Sequence, residues 1–328
     1  MPINLTRRTM LQLAGAGAAA LTLPAGMAHA ATKLRYGNAG NPTSLSNVFN
    51  QKLSDAIAAK TKGELSMEIF AGSLGGEQKL LDSMSLGSLD MYNGAYTGTR
   101  EFDILYSPGF FRDGVHAKAV IDSEIGAKAS AVLGDRYGAR LLGVGRLGGY
   151  NLMLRKPISS LSELKGLKIR SAQIEGCIEG LKHFGAIPTP IPFNEIYLAV
   201  QQGIVDGVLT ALSPGVAGKF YEVAKYVVEA DFGLALDKEA ISVASWNALS
   251  PDYQQILATT FTEMEETDYY GASIGGKQKD LGIWSGANGA DSILKLDAAS
   301  LAKDLEPLNR RLADEVYGAG AWDKIKAL

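Results

Sequence analysis

Histidine and cysteine are scarce in this chain: three of the first and one of the second, Cys177, in 328 residues. A single cysteine excludes an intrachain disulfide and any cysteine-cluster metal site. So few histidines leave little material for general acid–base work, which His performs most often. Proline is sparse too, at 11 residues beside 46 % hydrophobic content, which excludes an extended disordered chain. A formal net charge of −3 offers no electrostatic attraction for nucleic acid. No run of 18 consecutive apolar residues occurs, so nothing reads as a spanning helix. What is abundant is glycine, 38 of 328 residues or about 12 %, against a usual figure of about 7 %. It is scattered without a three-residue period, so the excess is not collagen-like. The length suggests two lobes at about 100–200 residues each.

The first thirty residues read as an address. Arg7-Arg8 precede an apolar run from Leu13 to Pro24, and Ala28-His29-Ala30 closes it with a small-x-small cleavage pattern. These are the three parts of a secretory signal. The paired arginines suggest the twin-arginine export route, although Met10 and Gln12 stand where Phe and Lys are commoner. The mature chain is expected to begin near Ala31. It would then carry 30 basic and 35 acidic residues, a net −5 in an exported protein.

Beyond the signal, strand-like and helix-like segments alternate. Leu34–Tyr36, Leu65–Phe70, Ala139–Gly145, Tyr150–Arg155, Gly166–Ile169, Ala186–Pro190 and Val205–Thr210 read as strands. Leu45–Thr61, with Phe49, Leu53, Ile57 and Ala58 on one face, reads as an amphipathic helix. Gly76–Leu86, Ala117–Tyr137, Ile174–Phe184 and Asn194–Gln202 read as further helices, the last with Asn194 as N-cap. Such alternation argues an α/β architecture. Ser250-Pro251-Asp252 is a strong helix start, and the pattern then runs to about Lys279, long enough to lie across both lobes.

Three short matches to catalytic motifs fail on context. Gly143–Gly148 fits G-x-G-x-x-G, but a strand follows where a phosphate-binding helix N-terminus is required. Gly271–Gly275 fits G-x-S-x-G, but helix-like residues precede it where a nucleophile elbow requires a strand. Gly271–Gly276-Lys277-Gln278 lacks the Ser or Thr of a P-loop. No metal-binding spacing occurs. Neither an enzyme nor a bound metal or cofactor is therefore expected.

A more specific feature is Leu164-Lys165-Gly166-Leu167-Lys168-Ile169-Arg170-Ser171, which sets Arg170 at the C-terminal end of a short strand. Ligands of α/β sheets bind beyond the carboxyl ends of strands, and a guanidinium there can present its planar fork to a carboxylate. A surface or structurally paired arginine is the alternative. Further stretches follow in order: Gly185–Tyr197 with Pro188, Pro190 and Pro192, then Gly203-Ile204-Val205-Asp206-Gly207, then Lys219–Tyr226. With Gly72–Glu77, Leu86–Met91 and Trp246–Leu257, these residues resemble the solute-binding proteins of TRAP (tripartite ATP-independent periplasmic) transporters, the C4-dicarboxylate-binding periplasmic protein family. The resemblance covers nearly all of residues 33–328.

That resemblance implies a two-lobed periplasmic binding protein fold, with the ligand cleft between the lobes and a long helix spanning both. The signal would occupy residues 1–30, lobe I residues 31–147 plus about 237–275, and lobe II residues 148–236 plus about 276–328. It implies capture of a small organic acid in the periplasm and delivery to the permease subunits of an ion-gradient-driven transporter, with no nucleic acid as partner. A sensory or scaffold protein reusing the fold, or an exported enzyme, is the alternative. Matched by position, Arg170 corresponds to the carboxylate-clamping arginine, Phe193 to an aromatic that packs on ligand, and Thr210 to a ligand-facing Asn. Asn38, Glu77 and Tyr96 fall near contacts of the first lobe. Tyr150 stands where many members carry a second arginine, as Gly148-Gly149-Tyr150 replaces Gly-Gly-Arg. Unless Arg100 or Arg146 substitutes, a second carboxylate lacks its counter-ion. The expected ligand is therefore a monocarboxylate with hydroxyl, keto or aromatic groups, not a C4-dicarboxylate.

Overall fold

The computed structural model describes residues 31–229, 232–296 and 298–328; the signal, residues 1–30, lies outside the described residues. Three parallel strands open the fold, β1 (Thr32–Asn38), β2 (Leu65–Ala71) and β3 (Met91–Gly94), in the order β2-β1-β3. Helix α1 (Leu45–Lys60) joins β1 to β2, with the Ser44 hydroxyl accepting from the Asn47 amide at its N-terminus. Its buried stripe of Phe49, Leu53 and Ile57 is the expected apolar face. Helix α2 (Glu77–Ser85) returns the chain to β3 and buries Leu80, Leu81 and Met84.

One strand links this sheet to a second. β4 (Ala139–Leu154) is sixteen residues long and pairs antiparallel with β9 (Leu234–Ser242) up to Gly149. From Tyr150 it pairs instead with β7 (Gly207–Ala211) and with β8 (Tyr226–Glu229). β7 continues in parallel into β5 (Lys168–Ser171) and β6 (Ile187–Pro190), while β10 (Ile293–Lys295) pairs with β8. The parallel halves at either end form the two lobes, and β4 and β9 cross between them. Gly148 makes the transition: its φ is +89°, at a register shift in β4, and a Cβ there would lie 2.6 Å from the Ser273 hydroxyl. A second apolar core of Met153, Ile196, Val200, Val208, Phe220 and Trp284 fills the β7–β5–β6 lobe.

The long helix is present and longer than expected. It runs through α3 (Pro251–Met264), a π-helical segment Glu265–Gly271 and α4 (Ala272–Asn288). Ser250 caps it by accepting from the Tyr253 amide, as its sequence suggests. α3 packs on α1 and β4, while α4 packs on the helix Leu212–Ala217 and on β10, so the element spans both lobes. The widened turn carries Glu265 and Tyr269 inward. None of the described helices is long and apolar enough to cross a membrane.

Several local readings are corrected. The expected strands Ala139–Gly145 and Tyr150–Arg155 are one strand, because Arg146, Leu147 and both following glycines stay in the ladder with β9. The expected helix Ala117–Tyr137 is two, Gly114–Ile121 and Glu124–Tyr137, because Ser123 supplies a fresh N-cap to the Ile125 amide. Asn194 is not an N-cap: it lies in a 3₁₀ turn, Phe193–Glu195, and the helix begins at Ile196. Arg170 sits inside β5, one residue before its end, because the strand begins at Lys168 and not at Gly166. The failed motifs stay failed, since Gly143–Gly148 lies in β4 and Gly271–Gly275 in the long helix.

Candidate functional site

Where the lobes meet, two adjoining cavities share Glu77, Arg170, Ala172 and Phe193. The inner one, about 70 Å³, also reaches Asn38, Tyr150, Thr210 and Asp237. The outer one, about 340 Å³, adds Tyr96 and Pro192. All seven residues singled out in the sequence thus line one continuous cleft.

Arg170 is 3 % exposed. Its Nε donates to the Ile191 carbonyl at 2.8 Å, and Nη1 lies 3.5 Å from the Leu209 carbonyl. Among the described residues it has no ion-pair partner, and burial pushes its guanidinium down to about 10. A buried cation facing a cavity without a counter-ion is expensive unless an anion completes it. Two further donors line the same cavity. Neither the Thr210 hydroxyl, from β7, nor the Tyr150 hydroxyl, at the crossing of β4, makes a hydrogen bond with a described residue, although both residues are 5 % exposed. Tyr150 is held by its ring, 5.9 Å from that of Tyr106, and by backbone pairing with Gly233 and Phe232. Phe193 is half-buried and packs 5.8 Å from Phe220, leaving a face on both cavities.

The opposite wall is organised by internal bonds. Glu77 begins α2, and its Oε1 accepts from the amides of Ala95 at 2.6 Å and Tyr96 at 3.2 Å. The Tyr92 hydroxyl donates to the same oxygen at 3.2 Å. Burial raises the Glu77 carboxyl above its usual range. Asn38 is committed to the protein: its amide donates to Asn93 and its oxygen accepts from the Gly40 amide and from Asn47. It shapes the wall and has little capacity left for another partner.

Arg100 and Arg146 are not at the cleft. Arg100 pairs with Glu175 and Glu315. Arg146, 1 % exposed, grips Glu265 through two nitrogens, at 2.9 and 2.7 Å, bonds Glu266, and lies 4.0 Å over the Tyr270 ring. Neither therefore supplies a charge beside Tyr150.

Sequence reasoning missed Asp237-Lys238-Glu239 in β9. All three are buried. Three consecutive charges read as a solvated turn, and only the flanking apolar residues, Leu234 to Leu236 and Ala240 to Ile241, hinted at a strand. Asp237 lines the inner cavity, its Oδ2 accepting from Ser46 at 2.8 Å and from the Tyr269 hydroxyl at 2.5 Å.

The lobes also approach one another directly. Asn41 Nδ2 donates to the Ala217 carbonyl at 2.7 Å, and a Cβ on Gly76 would lie 3.3 Å from Pro192 Cβ.

Two α/β lobes, two crossing strands, a helix across both and a cleft between them are the architecture of a two-lobed periplasmic binding protein. Residues 37–273 match the family model described as bacterial extracellular solute-binding protein, family 7 (DctP), and the chain belongs to this family, the solute-binding proteins of TRAP transporters. It is 30 % identical over 243 residues to the 2,3-diketo-L-gulonate-binding periplasmic protein YiaO of Escherichia coli, spanning 71 % of this chain and 73 % of that one. It is 26 % identical to the sialic acid-binding periplasmic protein SiaP of Vibrio cholerae over 73 % of this chain and 76 % of that one. In fold it is similar to a TRAP periplasmic solute-binding protein from Polaromonas bound to D-erythronate, with a TM-score of 0.82 at 24 % identity over 90 % of this chain and 99 % of that chain.

Proposed function

We propose that this chain captures an organic monocarboxylate in the periplasm, with Arg170 clamping the carboxylate, and delivers it to the permease of a TRAP transporter. The observation that carries this reading is the buried Arg170 guanidinium, unpaired by any described residue, in a cavity beside the Thr210 and Tyr150 hydroxyls. A carboxylate there would accept charge-assisted bonds from the guanidinium. Phe193 offers an apolar face to the rest of the ligand. Tyr96 and the Ala95 segment held by Glu77 form the facing wall. Tyr150 brings a hydroxyl where a second positive charge would be needed for a second carboxylate, which favours one acid group. The acids named for related proteins, D-erythronate and 2,3-diketo-L-gulonate, are of that class. Export through the twin-arginine route, signalled by Arg7-Arg8, belongs to the same reading.

A thermal-shift screen against organic acids tests it, since a ligand that binds only the folded state raises apparent stability. Sugar monoacids should raise the Tm of the wild type. Arg170→Ala should lose a few kcal/mol of binding, on the scale of hydrogen bonds to charged groups, and with it most of that rise. An unchanged rise in Arg170→Ala would overturn the clamp.

A further inference from the structure

The charges that line the inner cavity do not suit an anion. Glu77 and Asp237 face one guanidinium, Arg170, so the lining is net negative. A cation stands directly behind it. Lys238 is fully buried on β9. Its Nζ donates to the Ala95 carbonyl, to the Tyr106 hydroxyl and, at 3.2 Å, to the Leu236 carbonyl. Its ammonium also lies 4.4 Å over the Tyr106 ring and 5.3 Å over that of Phe102. The three donors thus meet three neutral acceptors, and no carboxylate among the described residues makes an ion pair with it. The Ala95 carbonyl it holds belongs to the Ala95–Tyr96 peptide in the cavity wall, and the N–H of that peptide, on Tyr96, donates to Glu77 at 3.2 Å. Charge and wall therefore meet at one peptide.

We propose that Lys238 is a specificity-determining residue of the cleft, a positioning residue that acts through Ala95 and supplies from behind the wall the positive charge that lets the site accept an acid. This rests on the proposed reading of the site as a carboxylate receptor. A buried charge acts over several ångströms with little screening. With Lys238 protonated, the pair Arg170 and Lys238 balances Glu77 and Asp237; without it, the cleft repels an anion.

The groups that face Lys238 are Asp103 and Tyr106 from the turns after β3, Cys177 from the helix Glu175–His183, Glu77 from α2, and Asp237 on its own strand; Glu239, the next residue of β9, points to the opposite face, onto Tyr36 and Asn93. Its sheet partners, Gly94 and Val144, carry no charge. Burial lowers the Lys238 ammonium and raises the Asp103 carboxyl. Proton loss from Lys238 therefore falls below the ordinary lysine range near 10.4.

Two variants separate charge from hydrogen bonding. Lys238→Gln keeps N–H donors for Ala95 and Tyr106 and removes the charge; Lys238→Met removes both. Calorimetry with D-erythronate, galactonate and 2,3-diketo-L-gulonate is run on the full chain at pH 7 and at steps up to pH 10. The wild type should bind and weaken as pH rises. Folded Lys238→Gln should bind about tenfold or more weakly at pH 7, on the scale of a lost buried charge, with a flatter profile. Glu239 titrates in the same window in both proteins, so the difference between the two profiles is the readout. Weakening in Lys238→Met but not in Lys238→Gln would make the role purely one of hydrogen bonding and overturn the proposal. So would a Lys238→Gln protein that matches the wild type in affinity and slope. If the wild type binds none of these acids, the reading of the site falls and this inference with it.

Discussion

Single side chains decide what this cleft can hold, and the arginines show it best. Arg170 and Arg146 are both buried, yet of the two only Arg146 makes ion pairs with described residues. Arg146 is therefore a brace between β4 and the π-helical turn. Arg146→Met should leave Glu265 buried and unpaired, and cost about 3–5 kcal/mol, read as a lower Tm with ligand affinity of the folded protein retained. A Tm equal to that of the wild type would contradict the brace. Glu239 makes a second case. It accepts from Tyr36 and from Asn93 at 3.4 Å, its other oxygen has no partner, and burial pushes its carboxyl up to about 8. An unfolded glutamate ionises near pH 4.3. Between these values the folded state binds the extra proton, so stability falls as pH rises through the window. Glu239→Gln removes that dependence, and its lead in Tm over the wild type should grow from pH 5 to pH 8. A lead that stays constant would show that Glu239 is already ionised. Arg170 was legible in the sequence as a cation near the end of a short strand, and the family resemblance set it toward the ligand. The Asp237-Lys238-Glu239 run was not, because burial of three charges is settled by partners far away in the chain, Ser46, Tyr269, Tyr106 and Tyr36.

Elements were legible where periodicity was local. α1 shows its apolar stripe and the long helix its Ser-Pro start, and both formed as read. β4 was read as two strands because Gly148 and Gly149 punctuate it, although tertiary pairing with β9 carries the ladder through. β3 and β8 to β10 are short or charged, and their identity comes from the strands beside them. The turn into α2 bears on function. Gly76 has an ordinary φ of −74°, so a larger residue meets no backbone penalty there, yet its Cβ would press on Pro192 across the cleft. Gly76→Leu should leave the unliganded Tm nearly unchanged and weaken acid binding about tenfold, because the competent closed arrangement becomes less populated. Full affinity in calorimetry would show that the lobes need not meet at this point.

At the scale of the molecule, alternating elements anticipated the α/β architecture and the Ser250 start a long late helix, while the two lobes were implied by the family resemblance. A chain poor in His and Cys builds its cleft from Arg, Tyr, Thr, Phe and two carboxylates, in which one guanidinium and two hydroxyls are the groups able to donate to an anion. The glycine excess is partly explained by the crossing, where Gly148 turns one sheet into the next. The account's central claim is that one acid group is clamped by Arg170 and that Tyr150 leaves no counter-ion for a second. Calorimetry with galactonate and succinate, on the wild type and on Arg170→Ala, measures this directly. The account predicts binding of the monoacid by the wild type, its loss in Arg170→Ala, and no tight binding of succinate by either protein. Tight succinate binding by the wild type would contradict it.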